Sequence, residues 1–156
     1  MSAFRLVGIP FEPFAALFAL SDAELLEHNA RRVIASTKPG YPCRVSLTDA
    51  DIGDELLLLP FAHQSASSPY KSSGPIFVRK AAKPACIAAD AVPDYVRTRL
   101  ISVRAYDEGH LMTDALVCDG DDTASAIQNM FTRDDIAYIH LHNAKRGCFS
   151  CTAIRA

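Results

Sequence analysis

Several features are missing from this sequence, and each absence removes a class of function. There is no run of basic residues: 16 Lys and Arg stand against 18 Asp and Glu, for a formal charge of −2. Without a basic patch to hold a phosphate backbone, nucleic acid is not an expected partner. There is no apolar stretch long enough for a bilayer either. The longest near the start, FAALFAL from Phe14 to Leu20, falls far short of the roughly 20 residues a membrane helix needs. It follows Pro10, Glu12 and Pro13, which also break the pattern of a signal peptide. Glycine-rich fingerprints, internal repeats and low-complexity segments are absent too, which argues against a dinucleotide-binding fold and against a repeat architecture.

With no export segment or membrane span, the expected location is the reducing cytoplasm. There Cys43, Cys86, Cys118, Cys148 and Cys151, an odd number, remain thiols. A chain of 156 residues can bury a continuous core, and no shift in composition marks a boundary. The expectation is one domain over residues 1–156.

Strand signals outnumber helix signals. FRLVGI (4–9), RRVIAST (31–37), CRVSL (43–47), ELLLLPF (55–61), GPIFVRK (74–80), LISVRAYD (100–107) and LMTDALVC (111–118) all carry β-type residues bounded by turn formers. Ser21 and Glu24 have the spacing of a capping box and predict a helix running to about Arg31. Pro93 to Arg99 reads as a short helix, and DGDDTASAIQNMF as another with an acidic start and with Met130 and Phe131 in the core. Strand and helix do not alternate regularly. The fold class is therefore α+β, with a mostly antiparallel or mixed sheet and two or three helices.

The richest stretch is YIHLHNAKRGCFSC, from Tyr138 to Cys151. Taken as two strands joined by the loop NAKRG, it sets Cys148 opposite His142, Ser150 opposite His140 and Thr152 opposite Tyr138. The other face then holds Ile139, Leu141, Phe149, Cys151 and Ala153, an apolar set that belongs against the core. Since residues three apart on a regular strand face opposite ways, Cys148 and Cys151 separate, which argues against a thioredoxin-like pair.

The polar face supports more than one chemistry. His140, His142 and Cys148 are all zinc or iron ligands, and His63 is a possible fourth. Alternatively Cys148 is a nucleophile with His142 as its base and His140 beside them. A hairpin whose polar side chains merely bond their neighbours is the plainer alternative.

Arginines set among apolar residues form a second constellation. Arg44, Arg79 and Arg104, if they share one surface, form an anion pocket, with His63 and Tyr70 on the long loop AHQSASSPYKSS as its cover; Asn143 and Arg146 of the hairpin are further ligand-binding candidates, Arg146 also as a charge that lowers the Cys148 thiol pKa. The alternative is a solvated sheet face. In the DEGH turn, a two-residue loop pairs Val103 with Asp114 and sets that carboxylate among Val103, Met112 and Leu116, where it is either paired to an arginine as a structural lock or held with a shifted pKa for proton transfer.

PCRVSL, LLLLPFAHQ with SPY and GPIFVR, SVRAYD with MTDA, and YIHLHNAKRGC together resemble a bacterial family known as domain of unknown function twelve-hundred-and-three, over nearly the whole chain. The resemblance implies a bacterial source and passes on neither a reaction nor a ligand. The function expected from the residues is binding of a small anionic ligand at a site lined by His, Cys and Arg. The alternatives are an enzyme using Cys148 and His142 or a metal, and a non-catalytic structural or partner-binding domain.

Overall fold

The structure, a computed structural model, describes residues 2–156, so Met1 of the expected single domain lies outside the described residues. Among these residues, ten strands form two five-stranded sheets.

The first sheet comprises β1 (Phe4–Val7), β7 (Leu100–Tyr106), β8 (Met112–Asp119), β9 (Tyr138–Asn143) and β10 (Phe149–Arg155), in the order β1-β10-β9-β7-β8 and antiparallel throughout. One face carries Ile101, Val103, Ala105, Ile139, Leu141, Cys151 and Ala153, the alternate positions that strand periodicity assigns to one side. They pack against Tyr95 and Val96 of α3 (Asp94–Arg97) and against Ile127 and Met130 of α4 (Thr123–Met130) to form the larger core. The opposite face carries Ser102, Arg104, Tyr106, Tyr138, His140 and His142, with Arg104 paired to His140 and Ser102 to His142 across the strands.

The second sheet is built from β2 (Arg31–Ile34), β3 (Pro42–Cys43), β4 (Thr48–Asp49), β5 (Glu55–Gln64) and β6 (Ser72–Arg79), in the order β2-β5-β6-β3-β4. Its pairs are antiparallel apart from β3 beside β6, so the expectation of a mostly antiparallel α+β fold holds. Two helices near the N-terminus cover its core: α1 (Glu12–Ala15) and α2 (Asp22–Glu27). The capping box at Ser21 and Glu24 is present in both of its hydrogen bonds. The helix stops at Glu27, short of Arg31, because the chain turns at Asn29 with φ of 55° and enters β2. Four short α-helices form where two or three were expected; the additional one is α1, where Pro13 sits in a first turn that needs no amide donor.

Several strand boundaries differ from those read in the sequence. CRVSL is strand only at Cys43 and then turns, so Arg44 leaves the sheet. β5 continues past Phe61, and His63 lies on this strand and not on the following loop. The β7–β8 turn is longer than two residues: Val103 pairs with Leu116 and Ala105 with Asp114. Asp114 is therefore not sunk among apolar side chains. It is half-exposed and paired at 3.2 Å with Arg133.

Candidate functional site

Strand β5 is ten residues long, about 33 Å of extended chain, and its far end crosses the polar face of the first sheet. Prolines oppose each other where Pro60 faces Pro75, and the register then slips between Phe61 and Gln64. A slip of this kind bends a strand and re-aims side chains, and His63 falls inside it. A second slip lies between Phe149 and Cys151 of β10. It turns Phe149 off the core face, where the alternation placed it, onto the histidine face. The His63 ring stacks on Phe149, with centroids 5.7 Å apart and planes within 5°.

The result is a cluster of three imidazoles. One ring nitrogen from each of His63, His140 and His142 lies within 4.8 Å of the others. His63 stands edge-on to His142 at 4.9 Å between centroids, and 6.3 Å from His140. His140 and His142 are buried, at 6% and 1% exposure. Three ring nitrogens are enclosed with no hydrogen-bond partner: Nδ1 of His63, Nδ1 of His140 and Nε2 of His142. Buried polar atoms without partners are uncommon, because each forgoes its bonds to water.

The protonation of these rings follows from their surroundings. Burial, with the nearby His142, His63 and Arg104 charges, pushes His140 down to about 3. Burial also pushes His142 down to about 4, against the opposing effect of the Gly147 carbonyl. His63 is lowered as well, by burial and then by Arg104. All three are neutral at pH 7. His142 Nδ1 donates to the Gly147 carbonyl at 2.9 Å, which fixes the proton on Nδ1 and leaves the Nε2 lone pair facing inward.

Aromatic and polar groups surround the cluster. Tyr106 and Tyr138 stack at 5.2 Å, and each lies within 5.2 Å of the His140 ring. The Tyr138 hydroxyl accepts from Gln64 Nε2 at 2.9 Å and hydrogen-bonds His110 Nδ1 at 2.8 Å. Tyr70 closes over Tyr106 at 6.1 Å. The Arg104 guanidinium uses Nε on the Ser102 hydroxyl at 3.1 Å and keeps its terminal nitrogens free of protein partners among the described residues.

The candidate residues thus divide. His63, His140, His142 and Arg104 converge, with Tyr70 at their edge. Arg44, Asn143, Arg146 and Cys148 gather at a separate cleft. Arg79 joins neither, since its strand position turns it toward Asp54 at 3.8 Å; the three-arginine pocket does not form.

Cys148 does not oppose His142. Phe149 does, because the turn takes in residues 143–148, one more than the loop NAKRG, and beyond the slip at Ser150 it is Thr152 that opposes His140. Cys148 is accordingly outside the convergent histidine set, and His63 takes the place it was expected to hold. Its sulfur takes hydrogen bonds from Arg44 Nη2 at 3.2 Å and Asn143 Nδ2 at 3.9 Å, and none from His142 among the described residues. The Cys148–His142 nucleophile and base pair lacks its contact. Cys151 sits in the core as expected, its thiol pushed up to about 12 by burial.

Tyr106 and His110 were not singled out in the sequence, and Phe149 was expected on the core face. Ser102, Arg104 and Tyr106 form a polar stripe of period two that matches Tyr138, His140 and His142, and pairing the two stripes would have found Tyr106. No local signal points to His110, which reaches Tyr138 from a turn at φ of 62°.

An α+β scaffold with a buried histidine cluster between two sheets is the class these features define. Residues 40–155 match the family described as Protein of unknown function (DUF1203), and the chain belongs to that family. No curated protein and no solved structure matches the chain. The matched segment contains His63, Arg104, His140, His142 and Phe149.

Proposed function

We propose that His63, His140 and His142 hold a divalent transition metal, zinc or ferrous iron, and that Arg104 draws a small anionic ligand to it. The observation that carries this reading is the enclosure of three unpartnered ring nitrogens in one cluster. Metal-binding imidazoles are neutral, and commonly fix their second nitrogen on a backbone carbonyl, as His142 does on Gly147. A metal about 2.0–2.1 Å from each nitrogen separates them by roughly 3.3 Å, so small ring rotations close the cluster.

Three neutral ligands leave the ion's charge intact, and Arg104 adds a cation beside it. Such a site would favour an anionic ligand, and a bound ion would supply Lewis-acid chemistry for metal-assisted hydrolysis. The stacked tyrosines and Phe149 limit access of bulk water. Five free cysteines accord with a reducing compartment, for which we propose the bacterial cytoplasm. No helix is long and apolar enough to cross a membrane.

Titration of metal-free protein with cobalt(II) tests the ligand set. The reading expects one equivalent to bind with visible ligand-field bands and no sulfur-to-cobalt charge-transfer band, a spectrum unchanged by Cys148→Ser and lost in His63→Ala. A thiolate band removed by Cys148→Ser would overturn it.

A further inference from the structure

A concavity of about 670 Å³ lies where the β9–β10 turn meets the second sheet. Its floor holds Arg44, buried at 1% exposure, and the sulfur of Cys148. Arg44 Nε donates to the Phe149 carbonyl at 2.8 Å and Nη1 to the Pro42 carbonyl at 2.7 Å, so one side chain ties the two sheets together. These bonds, with the one to Cys148, occupy three of the guanidinium's five N–H donors. No carboxylate lies within 4.0 Å of it among the described residues. A buried cation without a counter-charge is costly, and the cost falls when an anion arrives.

The rim repeats that charge. Lys145 and Arg146 stand exposed on the turn with no ion-pair partner among the described residues. Arg99 is the exception: both its terminal nitrogens are taken by Asp49. None of the described lining residues is acidic, in a chain whose net charge is −2. The same cleft is lined by Tyr41 and Phe77, with ring centroids 5.3 Å apart, and by Leu58, which pairs with Phe77 across the strands. Asn143 also lines the cleft, with its Oδ1 enclosed and unpartnered.

We propose that this cleft binds a small organic oxyanion, a carboxylate or phosphate on an apolar body, with the charged group between Arg44 and Arg146 and the body against Tyr41 and Phe77. Arginine forks suit both oxyanions, and the aromatic wall accepts the remainder by apolar contact. The site stands independently of the histidine cluster, whose side chains are not among its lining.

Benzoate and phenyl phosphate, with benzyl alcohol as the uncharged control, are titrated calorimetrically into untagged, chelator-treated full chain. Alkylation of Cys148 by iodoacetamide is followed in parallel by peptide mass spectrometry. The proposal expects saturable binding of at least one anion and none of the alcohol. It expects about tenfold weaker binding in Lys145→Ala/Arg146→Ala, whose positions are exposed and spare the fold. It also expects slower labelling of Cys148 when the anion is bound. Preference between the anions assigns carboxylate or phosphate. Absence of binding, equal binding in the double variant, or unchanged labelling of Cys148 overturns it. Binding that appears only after metal is restored would place the anion at Arg104 and overturn it as well.

Discussion

His140 is one of a few buried side chains whose ordinary chemistry is at odds with its surroundings. It titrates near 6.5 in a peptide, and here burial pushes it down to about 3, while His142 is pushed down to about 4. Between those values and 6.5 the unfolded chain binds protons that the folded chain does not. Metal-free protein is thus fully stabilised above about pH 6.5 and loses that stability as pH falls, down to about 4 for His142 and about 3 for His140, each group contributing about 1.4 kcal/mol per pH unit in its window. Urea denaturation at pH 7, 6 and 5 should show this slope, and His140→Gln should flatten it by about one proton. An unchanged slope in that variant would mean that His140 is charged in the folded state. The chemistry of this residue was legible in the sequence, because HxH on a strand puts both rings on one face. The placement of Cys148 was not. Its expected position assumed the five-residue loop NAKRG, and the turn takes in Cys148 as well, which moves it out of the cluster.

At the scale of the element, slips in strand register assemble the site. The turn of the β9–β10 hairpin is as important as its strands: Gly147 sits at φ of 79°, and its carbonyl is the one that orients His142. A Cβ at this position meets nothing within 4 Å, so replacement acts through backbone strain alone. Gly147→Ala is expected to cost about 1 kcal/mol in urea denaturation and to weaken metal binding by loosening the His142 tautomer. Loss of stability without loss of affinity would separate the turn from the site. Elements whose signals are local were readable. The Ser21–Glu24 box marked the start of α2, and the period-two stripes marked β7 and β9. The tail of β5 was not readable, because Ala62, His63 and Gln64 carry weak strand signals, and their pairing against Ser72 depends on a slip that no local pattern announces.

Across the whole molecule, the site exists because the two sheets are held in one arrangement. His63 belongs to the second sheet, and His140 and His142 to the first. Among the contacts that hold them are Arg44 reaching the Phe149 carbonyl, Gln64 reaching the Tyr138 hydroxyl, and the close approach of Gly8, after β1, to the segment after β3. A Cβ on Gly8 would lie 2.4 Å from the Val45 carbonyl oxygen and 2.7 Å from that of Arg44. Gly8→Ala is therefore expected to destabilise the protein by about 1–3 kcal/mol, seen as a lower Tm, and to move Arg44. Wild-type stability in that variant would show that the sheets can part without cost. Contacts of this range were beyond a reading of the sequence. Residues 63 and 140 are far apart in the chain, and only the packing of the two sheets brings their side chains together.

The most direct test of the proposed metal centre is the metal content of untagged protein, purified without chelator and measured by plasma mass spectrometry beside His63→Ala. About one equivalent of zinc or iron in the wild type, absent from the variant, is the predicted result. Metal-free wild type that also takes up none on reconstitution, or a variant that retains a full equivalent, would contradict the three-histidine centre.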